Sequence, residues 1–510
     1  MTTAQIGMFV TMVVYLVAMI GMGAAFSKKN RTVGDFYLGG RKLGPFVTAM
    51  SAEASDMSSY LLMGIPGLAY LSGIADAGWT IIGLATGTYL NWLITAKRIR
   101  RYTETTGSIT VPAFFSDRYA DDKNILTLIS AIIIVIFFVP YTASGFAGCG
   151  KLFASLFNTD YHIAMIVSAC VIIGYTMLGG FLAASTTDFV QSIIMSAALI
   201  IILIFGFEKA GGPVAVLDNA KGLAGYFSMT RTHNAVSKAA EPYGFIRIIS
   251  TLAWGLGYFG MPHILLRFMA IEDERKLSLS RRVATIWVLI SMAVSVCIGI
   301  VGLGMSAEGE IPKLVGSDSE TVIIKISDLL ARHGLGFAMI AGIVLSGILA
   351  STMSTADSQL LCASSSISSD ILVKCFHARI SEKKLMAIAR AALVGIGIIG
   401  VALAWNPNSS VFQIVSFAWA GFGATFGPVM ILALFWKRSN KNGALAGLVS
   451  GGIMIFVWKF AIRPLGGAFD IYELLPSFAV ALLFDIIVSL CTKAPDKKII
   501  EVFEKVDSMS

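Results

Sequence analysis

Ser51-Ala52-Glu53-Ala54-Ser55-Asp56-Met57-Ser58-Ser59-Tyr60 stands in the middle of an apolar run, residues 43 to 70, and carries two carboxyl groups where a membrane helix ordinarily carries none. A charge at that depth is costly, so each one asks for a function. If the helix starts near Gly44, Asp56 lies about 18 Å along it, close to the midplane of a hydrocarbon core about 30 Å thick. Downstream comes Met63-Gly64-Ile65-Pro66-Gly67. Proline removes a backbone donor and glycine weakens a helix, so the backbone is expected to open there.

The rest of the chain is of one kind with this stretch. Of 510 residues, 56% are hydrophobic and 14% charged, with mean hydropathy +0.77; soluble domains carry roughly a quarter charged residues. That composition excludes a soluble enzyme. Thirteen apolar runs are long enough to cross a bilayer: 6 to 26, 43 to 70, 77 to 96, 124 to 150, 161 to 183, 187 to 207, 244 to 270, 283 to 306, 336 to 362, 386 to 405, 411 to 436, 442 to 461 and 472 to 492. They are numbered one to thirteen below. The first is read as a retained helix, because no basic residue precedes it and it exceeds a signal h-region. With an odd count the termini lie on opposite sides. Of 39 Lys and Arg, 28 fall in the segments that share a face with the C-terminus. The positive-inside rule then puts the N-terminus outside and the C-terminus in the cytoplasm. The formal charge of +8 reads as topology rather than as nucleic-acid binding.

Run seven carries a second interruption, Trp254-Gly255-Leu256-Gly257-Tyr258-Phe259-Gly260-Met261-Pro262. Two Gly/Pro-interrupted runs, five apart in order, are what a pair of inverted five-helix repeats would produce, although ordinary kinks give the same letters. In run nine, Ser351, Ser354, Thr355 and Ser358 recur at spacings of three and four and so line one helical face. Such hydroxyls either glue helices and bond back to their own turn, or offer the hard oxygen ligands a sodium ion needs. Asp56 and Asp357 could add attraction for the cation. The six cysteines form no C-x-x-C, the five histidines show no metal spacing, and no phosphate-binding loop occurs, so cofactor, transition-metal and ATP-driven chemistry are not expected.

Four stretches together resemble the sodium/solute symporter family, most closely its sodium/proline members: Leu38 to Ala49, Ser55-Asp56-Met57-Ser58, Leu252 to Gly260, and Met353-Ser354-Thr355. The resemblance implies an all-α integral membrane protein with a LeuT-type core. One helix precedes two inverted repeats, residues 43–207 and 244–436, and two helices follow them. It implies a sodium site between runs two and nine, formed by the backbone oxygens of Ala54 and Met57 and the hydroxyls of Ser354 and Thr355, with Ser351 adjacent. It also gives Asp56, Ser58 and Asp188 roles in ion coupling, Asp188 near the inward exit. Residues 185 to 188 would equally serve as a helix N-cap for run six. Tyr141, Trp254 and Tyr258 match positions lining a substrate cavity, and Tyr60 and Met261 are expected near it.

The sequence departs from the proline-transporter pattern at five positions. Glu53 and Ser59 stand where glycine is expected, Tyr60 where tryptophan, Ser351 where alanine and Met261 where glutamine. Ser351 could add an oxygen to the ion site, and Glu53 could bind a second cation, carry a proton or pair with a base. The expected activity is import of L-proline with sodium across the cell membrane by alternating access. Another amino acid, a compatible solute or a vitamin acid on the same fold is the rival reading, and a transporter-like sensor the more distant one. No nucleophile, base and orienting group assemble into an enzyme site.

Overall fold

The computed structural model describes residues 2–27 and 32–508. Every one of the thirteen apolar runs falls on helix. Among the described residues, nine helices are long and apolar enough to cross a membrane, or ten when the pair Phe245–Gly260 and Pro262–Ala270, bent by 46°, is taken as one. Three features account for the difference from the number of runs. Run two is broken within itself, and run three begins as Ile74–Leu90, 17 residues, before a π turn at Asn91–Thr95. Runs five and six lie in one helical stretch, Tyr161–Lys209, 49 residues long.

A straight helix of that length would measure about 74 Å, more than twice the hydrocarbon thickness. It is not straight. Gly180 has φ 64 and ψ −175, a backbone conformation essentially reserved for glycine. The Tyr175 and Thr187 hydroxyls hydrogen-bond to each other across this point, although twelve residues of continuous helix would hold them about 18 Å apart. The chain therefore folds back on itself at Gly180 as a helical hairpin. Both of its ends reach one end of the bundle: Tyr161 donates to Ala404 O at 2.8 Å, and the Phe205 and His333 rings lie 5.6 Å apart.

The basic segments gather at the other end. The Arg41 guanidinium donates to Thr103 O, Ser108 O and Met269 O at 2.6–2.9 Å. Lys374 pairs with Asp117 and Lys441 with Asp121, each at 2.8 Å, while Arg98 meets Asp507 at 2.7 Å. Arg101 pairs with Glu274 at 2.6 Å and holds that carboxyl below its ordinary value. Lys28, Lys29 and Arg31, which belong to the same basic set, lie outside the described residues. At the opposite end Gln5 Nε2 donates to Leu156 O at 2.8 Å, whereas Asn440, beside Lys441, donates to Lys493 O past the last apolar helix at 2.9 Å, so the first helix starts and the last apolar helix finishes at opposite ends. The loop after run six adds a small antiparallel pair, Arg231–His233 with Ala240–Pro242.

Runs three and seven pack backbone to backbone: a Cβ on Gly83 would meet Leu252 O at 2.6 Å, and one on Gly87 would collide with Gly255. Small residues are what allow membrane helices so close an approach. This contact holds the interrupted part of run seven against the bundle interior.

Replacing Gly180 by valine should cost about 1–3 kcal/mol of stability, the strain of a side chain in that conformation. Gly174, whose added Cβ meets nothing within 4 Å, should accept alanine without loss. Thermal unfolding of the two purified variants compares them directly; equal midpoints would remove the glycine-dependent reversal.

Candidate ion and substrate site

The helix Pro45–Ser59 ends at Ser58, whose φ 44 and ψ −169 lie outside helical space. A non-glycine residue there stores about 1–3 kcal/mol of strain, and such residues concentrate at functional sites. The Tyr60 N–H turns to Ser58 Oγ at 3.1 Å, a π turn follows at Tyr60–Gly64, and helix resumes at Ile65–Ser72. The opening expected at residues 63 to 67 is therefore five residues earlier. Pro66 instead occupies the first turn of the resumed helix, where its missing N–H breaks no hydrogen bond. Run seven is interrupted as expected: Phe245–Leu252 is α-helix, Ala253–Gly260 a 3₁₀ segment, Met261 is extended, and α-helix resumes at Pro262.

Run nine packs along the broken run two and brings Ser354 against Ala54. Ser354 Oγ donates to Ala54 O at 2.9 Å and shares its proton with Ser351 O at 3.2 Å. Thr355 Oγ1 donates to Ser351 O at 3.0 Å, and Ser351 Oγ to Ile348 O at 2.9 Å. Most of the hydroxyl stripe thus bonds back to its own helix, and Ser354 is the member that crosses to run two. A hydroxyl that donates to a carbonyl keeps its oxygen lone pairs for a cation. Met57 O accepts the Tyr60 N–H at the helix end.

Asp56 is buried and bound on two sides. Its Oδ2 accepts from Tyr258 Oη at 2.6 Å, and its backbone oxygen accepts from Tyr141 Oη at 3.2 Å. Beside it lies a small cavity of about 10 Å³, room for about one water molecule. Tyr60, Tyr141 and Trp254 line it with Asp56, Met57 and Trp419. Tyr258, expected in this lining, is not part of it and instead meets the Asp56 carboxylate; Met261, buried where the resumed helix of run seven starts, is not part of it either. Tyr60 stacks on Trp254 with centroids 5.6 Å apart, Phe412 packs against both rings, and Trp419 Nε1 donates to Trp254 O at 2.8 Å. Past Phe412 a polar vestibule of about 970 Å³ opens at the end away from the basic cluster; Glu320, Asn406, Gln413 and Lys459 are among its walls.

Toward the basic end, Asp188 Oδ2 accepts from Ser51 Oγ at 2.7 Å and pairs with Arg267 at 3.1 Å, both charged side chains being 1% exposed or less. Arg267 also donates to Ser51 Oγ at 3.0 Å, Ser358 Oγ at 2.5 Å and His263 O at 2.9 Å. Asp188 is not a helix N-cap. The helix of run six begins after Gly180, so position 188 lies two turns inside it and its carboxylate points at other helices. Arg267 is the residue that sequence reasoning missed. A guanidinium inside an apolar run, at position 267 of run seven, is the available signal. Phe412 and Trp419 carried no signal, being two aromatics among many.

Glu53 is 1% exposed. Its Oε1 accepts from Thr88 Oγ1 and Trp92 Nε1, each at 2.9 Å, and Oε2 is buried without a hydrogen-bond partner. Among the described residues no base pairs with it.

A model of the sodium:solute symporter family matches residues 36–451. The chain belongs to that family. The high-affinity proline transporter PutP of Bacillus subtilis (strain 168) is 41% identical over 494 residues, 96% of this chain and 100% of the relative. The osmoregulated proline transporter OpuE of the same organism is 39% identical over 500 residues, 98% of each chain. The sodium/proline symporter of Haemophilus influenzae is 39% identical over 503 residues, covering 98% and 97%. A solved Na+-coupled sialic acid symporter in an outward-open state superposes over 96% of this chain and 99% of its own, with TM-score 0.79 at 17% identity. The all-α membrane class and LeuT-type fold expected of a sodium:solute symporter are therefore those of this chain.

Glu53→Ala should lower stability by about 1–3 kcal/mol, because it strands the Thr88 and Trp92 donors in the interior. Glu53→Gln keeps an acceptor oxygen for both and should cost less. Thermal unfolding in detergent checks the order; an alanine variant as stable as the glutamine one would contradict it.

Proposed function

We propose that this protein is a sodium-coupled secondary active symporter that imports L-proline by alternating access, and that it performs no enzymatic reaction and carries no cofactor. The observation that carries the reading is the meeting of Ser354 with Ala54 O at the break in run two, one turn from an aromatic-walled cavity. The names of the relatives support the ion and the solute. Sodium is assigned to the carbonyls of Ala54 and Met57 and the hydroxyls of Ser351, Ser354 and Thr355, with Asp56, Ser58 and Asp188 coupling ion to solute. L-proline is assigned to the space between Tyr60, Tyr141, Trp254 and Tyr258, with Met261 nearby. Flat aromatic faces suit a small saturated ring, and the ends of broken helices offer N–H and C=O groups to a zwitterion.

At about 10 Å³ the cavity is too small for an amino acid in this conformation. Loading then requires Phe412, Tyr60 and Trp254 to part toward the vestibule, while the Asp188–Arg267 network keeps the other side shut. Release requires the reverse. Residues 43–207 and 244–436 are the proposed inverted repeats whose relative rocking exchanges the two states. The basic end faces the cytoplasm by the positive-inside rule, which sets the N-terminus and vestibule outside. Sodium occupancy favours the outward-open state and completes the solute site, a coupling free energy between two ligands. An inside-negative potential supplies about 2.3 kcal/mol per charge per 100 mV, and a tenfold sodium gradient about 1.4 kcal/mol. One sodium ion then sustains a proline gradient of roughly several hundredfold.

Uptake of labelled L-proline into proteoliposomes under an inward sodium gradient tests this, with potassium as control and a Ser354→Ala, Thr355→Ala variant beside the wild type. Sodium-dependent accumulation that collapses in the variant is the expected result. Wild-type protein that binds sodium and ignores proline would keep the ion site and remove the solute.

A further inference from the structure

An apolar groove of about 510 Å³ lies on the flank of the bundle between run eight and the second arm of the helical hairpin. Leu199 and Ile200 form one wall, Leu279 to Val294 of the helix Leu277–Ala307, which contains run eight, form the other, and Met50 of run two reaches its floor. The run-eight wall extends about 22 Å along the helix, against about 15 Å for the hydrocarbon of one leaflet. Its rim continues into the lipid-facing surface, where Ile200, Ile286 and Ile290 are each more than half exposed. One end carries a charge. Arg275 pairs with Asp273, Lys276 with Glu272, and Arg281 lies over the Tyr89 ring at 5.5 Å, whereas Arg282 lines the groove and has no acidic partner among the described residues.

A leaflet-deep apolar channel with an uncompensated guanidinium at its basic end matches one kind of molecule, an anion joined to a long acyl chain. We propose that this groove is a binding site for one anionic glycerophospholipid, with its phosphate at Arg282 and an acyl chain running toward Val294. The site has a route to the transport machinery. The opposite face of run eight presents Met292 to the small cavity beside Asp56, and Ser295 Oγ donates to Leu61 O in the broken part of run two at 2.5 Å. Met50 precedes Ser51, which belongs to the Asp188–Arg267 network. An acyl chain in the groove therefore packs against the helix that separates lipid from the site.

Native mass spectrometry of the full-length protein, extracted from vesicles of mixed phosphatidylcholine and phosphatidylglycerol, tests the proposal whatever solute is carried. Wild type is expected to retain one phosphatidylglycerol in preference to phosphatidylcholine. Arg282→Gln should lose that preference by about fivefold to tenfold, and Val294→Trp, which fills the groove, should lower retention of either lipid. Equal retention by wild type and both variants, no preference in the wild type, or a second copy of the chain in place of lipid would each overturn it. Thermal unfolding identifies a variant that has failed to fold; Arg282→Lys then replaces it and should retain the preference. In proteoliposomes, phosphatidylglycerol should raise sodium-driven proline uptake by wild type and not by Arg282→Gln; an equal rise in both would overturn the proposal. Absence of proline uptake in every composition would count against the proline reading and leave the lipid measurement standing.

Discussion

A helix that stops inside hydrocarbon leaves N–H and C=O groups that lipid cannot pair, and the break at Ser58 imposes that condition on everything around it. Four other helices each bring one hydroxyl to it, three to backbone carbonyls and one to a side-chain carboxylate. Ser354 from run nine reaches Ala54 O, Tyr141 from run four reaches Asp56 O, Tyr258 from run seven reaches the Asp56 carboxylate, and Ser295 from run eight reaches Leu61 O. The choice of hydroxyls has a physical consequence. A hydroxyl both donates and accepts, and it rotates about a single bond, so the contact that satisfies a stranded carbonyl can yield that carbonyl to a cation and offer its own oxygen as well. A hydrophobic or amide contact at the same place could close the helix end without this exchange. The enclosure of the break and the gathering of hard oxygen atoms beside it are thus two results of one arrangement.

The two ends of the enclosed segment are sealed by different means. Toward the vestibule the barrier is a stack of aromatic rings, Tyr60, Trp254 and Phe412, which can slide or rotate past one another at modest cost. Toward the basic end it is a buried ion pair with hydroxyl partners, drawn from runs two, six, seven and nine. Buried pairs contribute little net stability, since desolvation offsets their attraction, but they tolerate few geometries. Such a contact fits a seal that exists in two registers, formed or parted. An aromatic stack is graded by comparison, so the inner network is the better discriminator between transport states.

Much of this was legible in the sequence because it follows from where charge and hydroxyl occur in apolar runs. Ser351, Ser354 and Thr355 could be placed on one face by spacing alone, and Asp56 at mid-depth by counting from Gly44. The position of the break could not. Gly64, Pro66 and Gly67 are the residues that usually open a helix, yet the chain opens at Ser58, a residue with no such preference, because surrounding helices hold it in a strained conformation. Gly180 fell inside run five for the opposite reason: one glycine among many in apolar sequence gives no sign that it alone reverses the chain. Partnerships across helices were the other loss. Runs apolar on every side have no pattern to say which face meets which neighbour, so the pairing of Arg267 with Asp188 and the ceiling of Phe412 over the cavity emerge only in three dimensions.

The interior is also out of electrical balance, and Glu53 makes it more so. Glu53, Asp56, Asp188 and Asp357 are all buried, and among the described residues Arg267 is the guanidinium that pairs within this set. Glu53 and Asp56 sit one turn apart on the same helix, and their donors among the described residues are neutral. In a low-dielectric interior, charges at such spacing interact far more strongly than in water. The environment therefore favours positive charge between runs two and nine over any neutral occupant, whether it arrives as a metal cation or as protons on the carboxyl groups. Those two ways of restoring balance draw on the same deficit, so each carboxyl group that takes a proton weakens the attraction felt by the coupling ion. Glu53 adds a carboxyl group to that set while its own contacts run to Thr88 and Trp92, away from the Ala54–Ser354 contact.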